Sequence, residues 1–344
     1  MGFFYLLFPY LTHKIKYMKI LWTNVEDEII KTNYSTKTIE EICQLIPNRT
    51  YGAIKLRKGK LKLFKRLPSA TYNEIFFSIP NLINCQLAGF ISADGCINFN
   101  NNKPRLMIHI SQKDLKYLQS ICKTINYNGT IYLETKHNTI KNYRNLLMPA
   151  RKSISDTCSI SIWNCKQYLV ELENNFSITP RKTLTLQPPK LDDLDLALSF
   201  ISGNIDGDGS IVLYDRPDGH LRARLNISLL GTYDFLSWVK RWIDKILPVY
   251  QRSQVRLERL GSKIYNYVVS GAEAYIFSKM ILSLDILRMD RKWDKAREYI
   301  QIFESQQLSQ DMEIKLRKLL NKDIISFVTS RGGNFPDNFL KLII

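Results

Sequence analysis

The 344-residue chain is 45% hydrophobic and 24% charged, which excludes disordered and collagen-like classes and leaves room for two or three domains. Its 49 Lys and Arg against 32 Asp and Glu give a formal charge of +17, an excess that points to a polyanionic partner, nucleic acid first. No run reaches the roughly 18 to 20 apolar residues of a membrane span, so no membrane partner is expected.

At the start, FFYLLFPYL (Phe3 to Leu11) lacks the basic region and small-residue cleavage site of a secretory signal. Residues 1–20 are read as a leader, untranslated if Met18 is the start, or disordered. Patterning begins after it. Thr23 with Glu26 and Thr38 with Glu41 have capping-box spacing and open two helices, and Thr50 is the N-cap of a third. Trp22, Ile29, Ile30, Ile39, Ile42, Leu45 and Ile46 would form the small core of a three-helix domain at 21–66. From Asn48 to Arg66 there are many Lys and Arg and no acid, as a helix entering a duplex groove requires for the phosphates on either side. Arg49, Lys55, Arg57 and Lys58 are its candidate DNA contacts. Residues 67–81 carry two prolines and no clear period and are read as a linker.

The next segment is written twice. LAGFISADGCI begins at Leu87 and ISGNIDGDGSI at Ile201, so Gly89 matches Gly203, Asp94 matches Asp208 and Gly95 matches Gly209. Gly89 and Ala93, like Gly203 and Gly207, are four apart on one helix face, where small residues let two backbones approach closely. Packing these helices brings Asp94 and Asp208 together at two C-termini, with Gly95 and Gly209 expected in the left-handed C′ conformation. Two carboxylates at two negative helix ends repel. Their hard oxygens suit Mg²⁺, or another divalent ion such as Mn²⁺, bridging to phosphate.

After each motif a strand alternates with period two. Leu106, Ile108 and Ile110 oppose Arg105, Met107, His109 and Ser111; in the second copy Leu221, Ala223, Leu225 and Ile227 oppose Arg222, Arg224, Asn226 and Ser228. The predicted fold is α+β, two tandem pseudo-symmetric αββαββα repeats at 82–190 and 191–302, joined at QPPK and followed by a helical tail at 303–344. Arg105, His109, Arg222, Arg224 and Arg256 are the candidate DNA contacts of the two sheets. Six cysteines without Cys-x-x-Cys spacing are expected as small buried or half-buried apolar residues in a reducing cell.

LAGFISADG and ISGNIDGDG resemble the paired motifs of the LAGLIDADG homing endonucleases, and the repeat pattern matches that family from 82 to about 302. WTNVEDEII…IEEICQLIPNRTYGAIKLRKGKLKL resembles Myb/SANT-like helix-turn-helix domains. The first resemblance implies a monomer whose saddle-shaped sheets lie in the DNA major groove and whose metal-binding acids are Asp94 and Asp208. It further implies that Lys182 and Lys292 border the catalytic water network and that Gln112 positions water in the first half, with no equivalent in SLLGTY. Ser92 replaces an acid that the second motif keeps as Asp206, for which only local hydrogen bonding is expected.

The implied function is site-specific double-strand cleavage of a long asymmetric DNA target, promoting mobility of the gene or its intron. The rival is an RNA maturase or a non-cleaving DNA-binding regulator, which predicts loss of acids that this sequence retains. Frequent Lys, Asn, Ile and Tyr suggest an A/T-rich genome, hence an intracellular setting: a phage-infected or bacterial cytoplasm, or an organelle matrix.

Overall fold

The computed structural model describes residues 21–63, 70–100, 103–140, 151–215, 223–247, 254–258 and 263–341. They fall into two compact units, 1–69 and 70–344. The leader at 1–20 lies outside the described residues.

The first unit holds α1 (Asn24–Asn33), α2 (Ile39–Leu45) and α3 (Tyr51–Lys60). Thr23 and Thr38 close reciprocal capping boxes with Glu26 and Glu41, and the Thr50 hydroxyl accepts from Ala53 N–H, so each start has a partner for its orphan backbone donors. Ile30, Ile42, Ile46 and Ile54 are the buried centre.

The second unit begins earlier than the expected repeat. Residues 70–81 are not a free connector: Phe77 is fully buried, and its ring packs edge-on against Tyr168 and Phe176. The first repeat then runs α4 (Leu82–Asp94), β1 (Gly95–Asn100), β2 (Lys103–Ser111), a 3-10 turn (Gln112–Asp114), α5 (Leu115–Thr124), β3 (Tyr132–Ile140), β4 (Arg151–Trp163) and α6 (Lys166–Phe176). The second runs α7 (Leu194–Gly207), β5 (Ser210–Asp215), β6 (Ala223–Gly231), α8 (Tyr233–Ile246), β7 (Arg256–Leu257), β8 (Tyr265–Ser270), α9 (Ala272–Ser283) and α10 (Asp290–Ser305). Between the repeats a second 3-10 turn spans Lys182–Leu184. Both sheets are antiparallel, ordered β1-β2-β4-β3 and β5-β6-β8-β7. Period-two burial holds in each: Leu106, Ile108 and Ile110 in β2, and Ala223, Leu225, Ile227 and Leu229 in β6, face the core.

The strand register corrects the alignment of the repeats. One residue past each motif's final glycine position, Cys96 pairs with Met107 whereas Ser210 pairs with Ser228, so Ser228 corresponds to Met107 and not to Ser111. The counterpart of Ser111 is Thr232. Both sit at the end of their strand and act as N-caps, Ser111 accepting from Lys113 N–H and Thr232 from Phe235 N–H.

The glycines after the motif acids are also not left-handed: Gly95 has φ −73°, ψ 136°, and Gly209 is absent from the positive-φ glycines. Crowding explains them instead. A Cβ on Gly95 would lie 2.7 Å from Ile91 O, and one on Gly209 2.8 Å from Ile205 O, because each strand leaves its helix folded back over the last turn. Of the cysteines, Cys96 is exposed, since it sits on a β1 position facing away from the core; the others are buried or half-buried, and none is disulfide-bonded.

The tail adds α11 (Gln310–Leu319), α12 (Lys322–Thr329) and α13 (Asp337–Leu340). Leu316, Leu319, Ile324, Val328, Phe335 and Phe339 join the main core, so the tail is an integral layer of the second repeat. Among the described residues no helix is long and apolar enough to cross a membrane.

Candidate active site at the motif-helix seam

The site is built on direct backbone contact between α4 and α7. A Cβ on Gly89 would collide with Phe200 O, and one on Gly203 with Gln86 O. Gly207 faces Ala93 Cβ in the same way, and a Cβ there would sit 3.5 Å from Asp94 Cγ. With nothing but hydrogen at these positions, the two helices run side by side until both end at the same level. Asp94 is the last residue of α4 and Asp208 the C-cap of α7.

The Asp94 carboxyl is held above the usual carboxylate range, first by burial and then by the charge of Asp208, against the pull of Lys292 and, more weakly, Lys182. Among the described residues no hydrogen bond or ion pair is formed by either carboxylate.

The two lysines are committed elsewhere, to backbone. Lys182, nearly buried, donates to Gly95 O. Lys292 Nζ lies 2.9, 2.7, 2.6 and 2.8 Å from the carbonyls of Ile205, Asp206, Gly207 and Gly209. Three ammonium protons cannot serve four acceptors at once, so these bonds are shared, and the ammonium neutralises the negative end of α7. Burial pulls both ammoniums below the ordinary lysine range. Asp208 is the foremost acid opposing this at Lys182, and Asp206 followed by Asp94 at Lys292. The strongest cation on Asp94 thus comes from the other repeat.

A cleft of about 860 Å³ opens beside Asp94, lined by His109, Gln112, Asp114, Arg291 and Lys292 among others. Gln112 stands in the 3-10 turn that follows β2. Its counterpart in the corrected register is Tyr233, the exposed first residue of α8, so the second half has a phenol where the first has an amide.

Asp206 does more than bond locally. Its buried carboxylate accepts from Gln86 Nε2 (3.0 Å) and Tyr117 Oη (3.3 Å) of the first repeat and from Trp293 Nε1 (2.8 Å) of the second. Burial pushes its pKa up to about 7. The matching Ser92 donates to Gly89 O (2.6 Å) and accepts from Asn204 Nδ2 (3.0 Å). Sequence reasoning misses this hub because its partners lie 87 to 120 positions away.

The expected DNA contacts separate into groups. Arg49 and Arg57 do not present free guanidiniums to a partner: Arg49 Nε donates to Glu26 (2.6 Å), Arg57 Nε to Asp27 (2.7 Å), and both cover the Trp22 ring. The basic run conceals this because its acidic partners belong to α1. Lys55 is exposed and Lys58 half-buried, its ammonium 6.0 Å from the Tyr34 ring. In the sheets Arg105 stacks 4.4 Å from the Trp163 ring and donates to Ser161, Arg224 donates to Ser270, and His109 and Arg256 are exposed. Arg222, like Leu221, lies outside the described residues.

Among the described residues no cluster of three or more His, Cys, Asp or Glu could hold a metal. The Asp94 and Asp208 pair, two hard-oxygen groups without a protein cation bound to either, fits partial coordination of a hydrated divalent ion.

The family model for LAGLIDADG endonuclease matches residues 87–149. No curated protein matches the chain. Similar solved structures include the I-LtrWI LAGLIDADG homing endonuclease bound to target DNA (12% identity, TM-score 0.40, covering 77% of this chain and 99% of that one). Others are the LAGLIDADG meganuclease I-AabMI bound to uncleaved DNA (12%, 0.37, 74% and 99%) and mesophilic variants of I-DmoI (17%, 0.35, 62% and 98%). The matched stretch carries most of the first motif helix, with Asp94, and the strands β1 to β3 that follow it.

Proposed function

We propose that the chain is a site-specific, divalent-metal-dependent double-strand DNA endonuclease that acts as a monomer and spreads its own gene or intron. The observation that carries this reading is the meeting of Asp94 and Asp208 at one seam, neither paired among the described residues, flanked by Lys182 and Lys292. A structural pair of acids would be given cations directly; here the cations are held on backbone carbonyls just behind them.

Asp94 and Asp208 would hold Mg²⁺ or Mn²⁺, with positions left for water and phosphate oxygen, and the ion would supply an activated water and stabilise charge at the scissile phosphate. The lysines, partly desolvated and fixed in place, add positive potential without needing to reorient as charge develops. Gln112, in the cleft beside Asp94, is suited to orient a water by its amide. The sheet residues Arg105, His109, Arg224 and Arg256 would contact phosphates and base edges of a long, asymmetric site, the two halves carrying different side chains. The first unit would add a flanking contact through the α3 face of Lys55, Lys58 and the 72%-exposed Leu56.

The test uses supercoiled DNA carrying the joined flanks of the open reading frame, incubated with the full chain and Mg²⁺. Linear product that disappears with EDTA is expected. Specific binding without any nick would favour the regulator, and binding of intron RNA alone the maturase.

A further inference from the structure

Among the described residues one ion pair crosses between the repeats, and the pseudo-symmetry does not repeat it. Arg291 Nε and Nη2 donate to Asp114 Oδ1 and Oδ2, both at 2.9 Å, in a fork on a carboxylate whose side chain is only 4% exposed. Asp114 closes the 3-10 turn that carries Gln112; Arg291 directly precedes Lys292 at the start of α10. The pair therefore ties together the two segments, from opposite repeats, that line the cleft beside Asp94.

On the other side the corresponding parts are present and the tie is missing. Lys182 and Lys292 are counterparts, each donating to the glycine that follows its motif acid, so Arg181 corresponds to Arg291. In the corrected register Asp114 corresponds to Phe235, which is fully buried. Arg181 adopts φ +60°, and among the described residues it has no carboxylate partner. By the same correspondence the second side would be assembled from Asp208, Tyr233 and Lys182, and among the described residues no hydrogen bond or ion pair joins Tyr233 to Lys182.

We infer that Asp114 and Arg291 are positioning residues for the Asp94-side centre alone, and that the strand facing this centre is cut first. The inference rests on the endonuclease reading. A displacement of about 1 Å in groups around a reacting phosphate costs up to about 100-fold in rate, so loss of the fork should slow one strand selectively.

The experiment follows nicking of each strand on end-labelled target DNA by the wild-type chain, by Arg291→Ala, and by the neutral pair Asp114→Asn with Arg291→Gln, which leaves no unpaired buried charge. Thermal melting of each variant checks its fold. A loss of about 10- to 100-fold in the first-cut strand, with the second strand little changed and partial recovery in Arg291→Lys, is expected. Equal slowing of both strands, or no change in a folded variant, overturns the inference and leaves the nuclease reading standing. If the wild-type chain nicks neither strand of any DNA it binds, both fall together.

Discussion

Glu26 in the first unit and Asp206 at the seam are both carboxylates that accept hydrogen bonds from fixed donors, yet they are displaced in opposite directions. The Arg49 guanidinium, followed by the Thr23 backbone N–H, brings Glu26 down to about 2, while burial takes Asp206 up to about 7 despite the Trp293 and Gln86 donors. The donors around Asp206 are neutral, and neutral donors do not repay the desolvation of a full charge. The first unit thus uses charge to hold its helices together. In the seam burial is the larger influence, raising Asp206, two residues before Asp208, and also Asp94 at the end of α4.

This contrast breaks most visibly in activity. Asp94→Asn or Asp208→Asn should lower cleavage by about 10²- to 10³-fold or more, while the melting temperature holds or rises because the repulsion is relieved. Glu26→Gln should do the reverse, lowering the melting temperature while cleavage at saturating protein is unchanged. Equal loss of activity in both would erase the distinction.

Next in size is the seam itself. Gly203→Val places carbon against Gln86 O and Phe90 N, both backbone atoms that cannot swing aside, and should cost about 3 kcal/mol or more in chemical denaturation. Valine at Gly52 of α3, where nothing lies within 4 Å, should leave stability nearly unchanged, raising it only by the small helix-propensity advantage of valine over glycine.

The smallest expected effects lie in the pH dependence of stability. Because Glu26 is depressed when folded, its contribution is present above about 4.5 and is lost as pH falls toward about 2. Asp206 is elevated, so the folded chain holds a proton that the unfolded chain releases from about 3.8 upward; its stability declines as pH rises toward about 7. Melting curves of Glu26→Gln and Asp206→Asn should each lose one of these slopes. Asp206→Asn is accommodated if the Gln86 amide turns over, since its Oε1 has no partner as placed.

Features carried by short spacing are legible in the sequence. The three N-caps, the alternation in β2 and β6 and the duplicated motif all arise from contacts within a few residues, where side-chain type and period decide the outcome. Pairings across long separations are not legible in this way. Nothing local marks Arg49 for Glu26, Arg291 for Asp114 or Trp293 for Asp206. The register of β6 is hidden because its apolar alternation continues to Leu229, so the similar IS dipeptides of the two copies align at the wrong rung. Composition alone suggests a turn conformation for the glycines after the motif acids, whereas sterics against the preceding turn is what requires them.

The tail sets the terms for any attempt to recombine these halves. Arg331, just past α12, is bonded to Asp195 in the first turn of α7, Lys315 of α11 reaches Glu273 of α9 at 2.8 Å, and Phe335 and Phe339 complete the ring cluster around Tyr275 and Phe303. A chimaera that borrows only the second motif helix and its sheet would strand Asp195 and open that aromatic cluster to water. Residues 194–341 travel as one cassette, and any recombinant of this scaffold would have to be spliced in the stretch between the repeats.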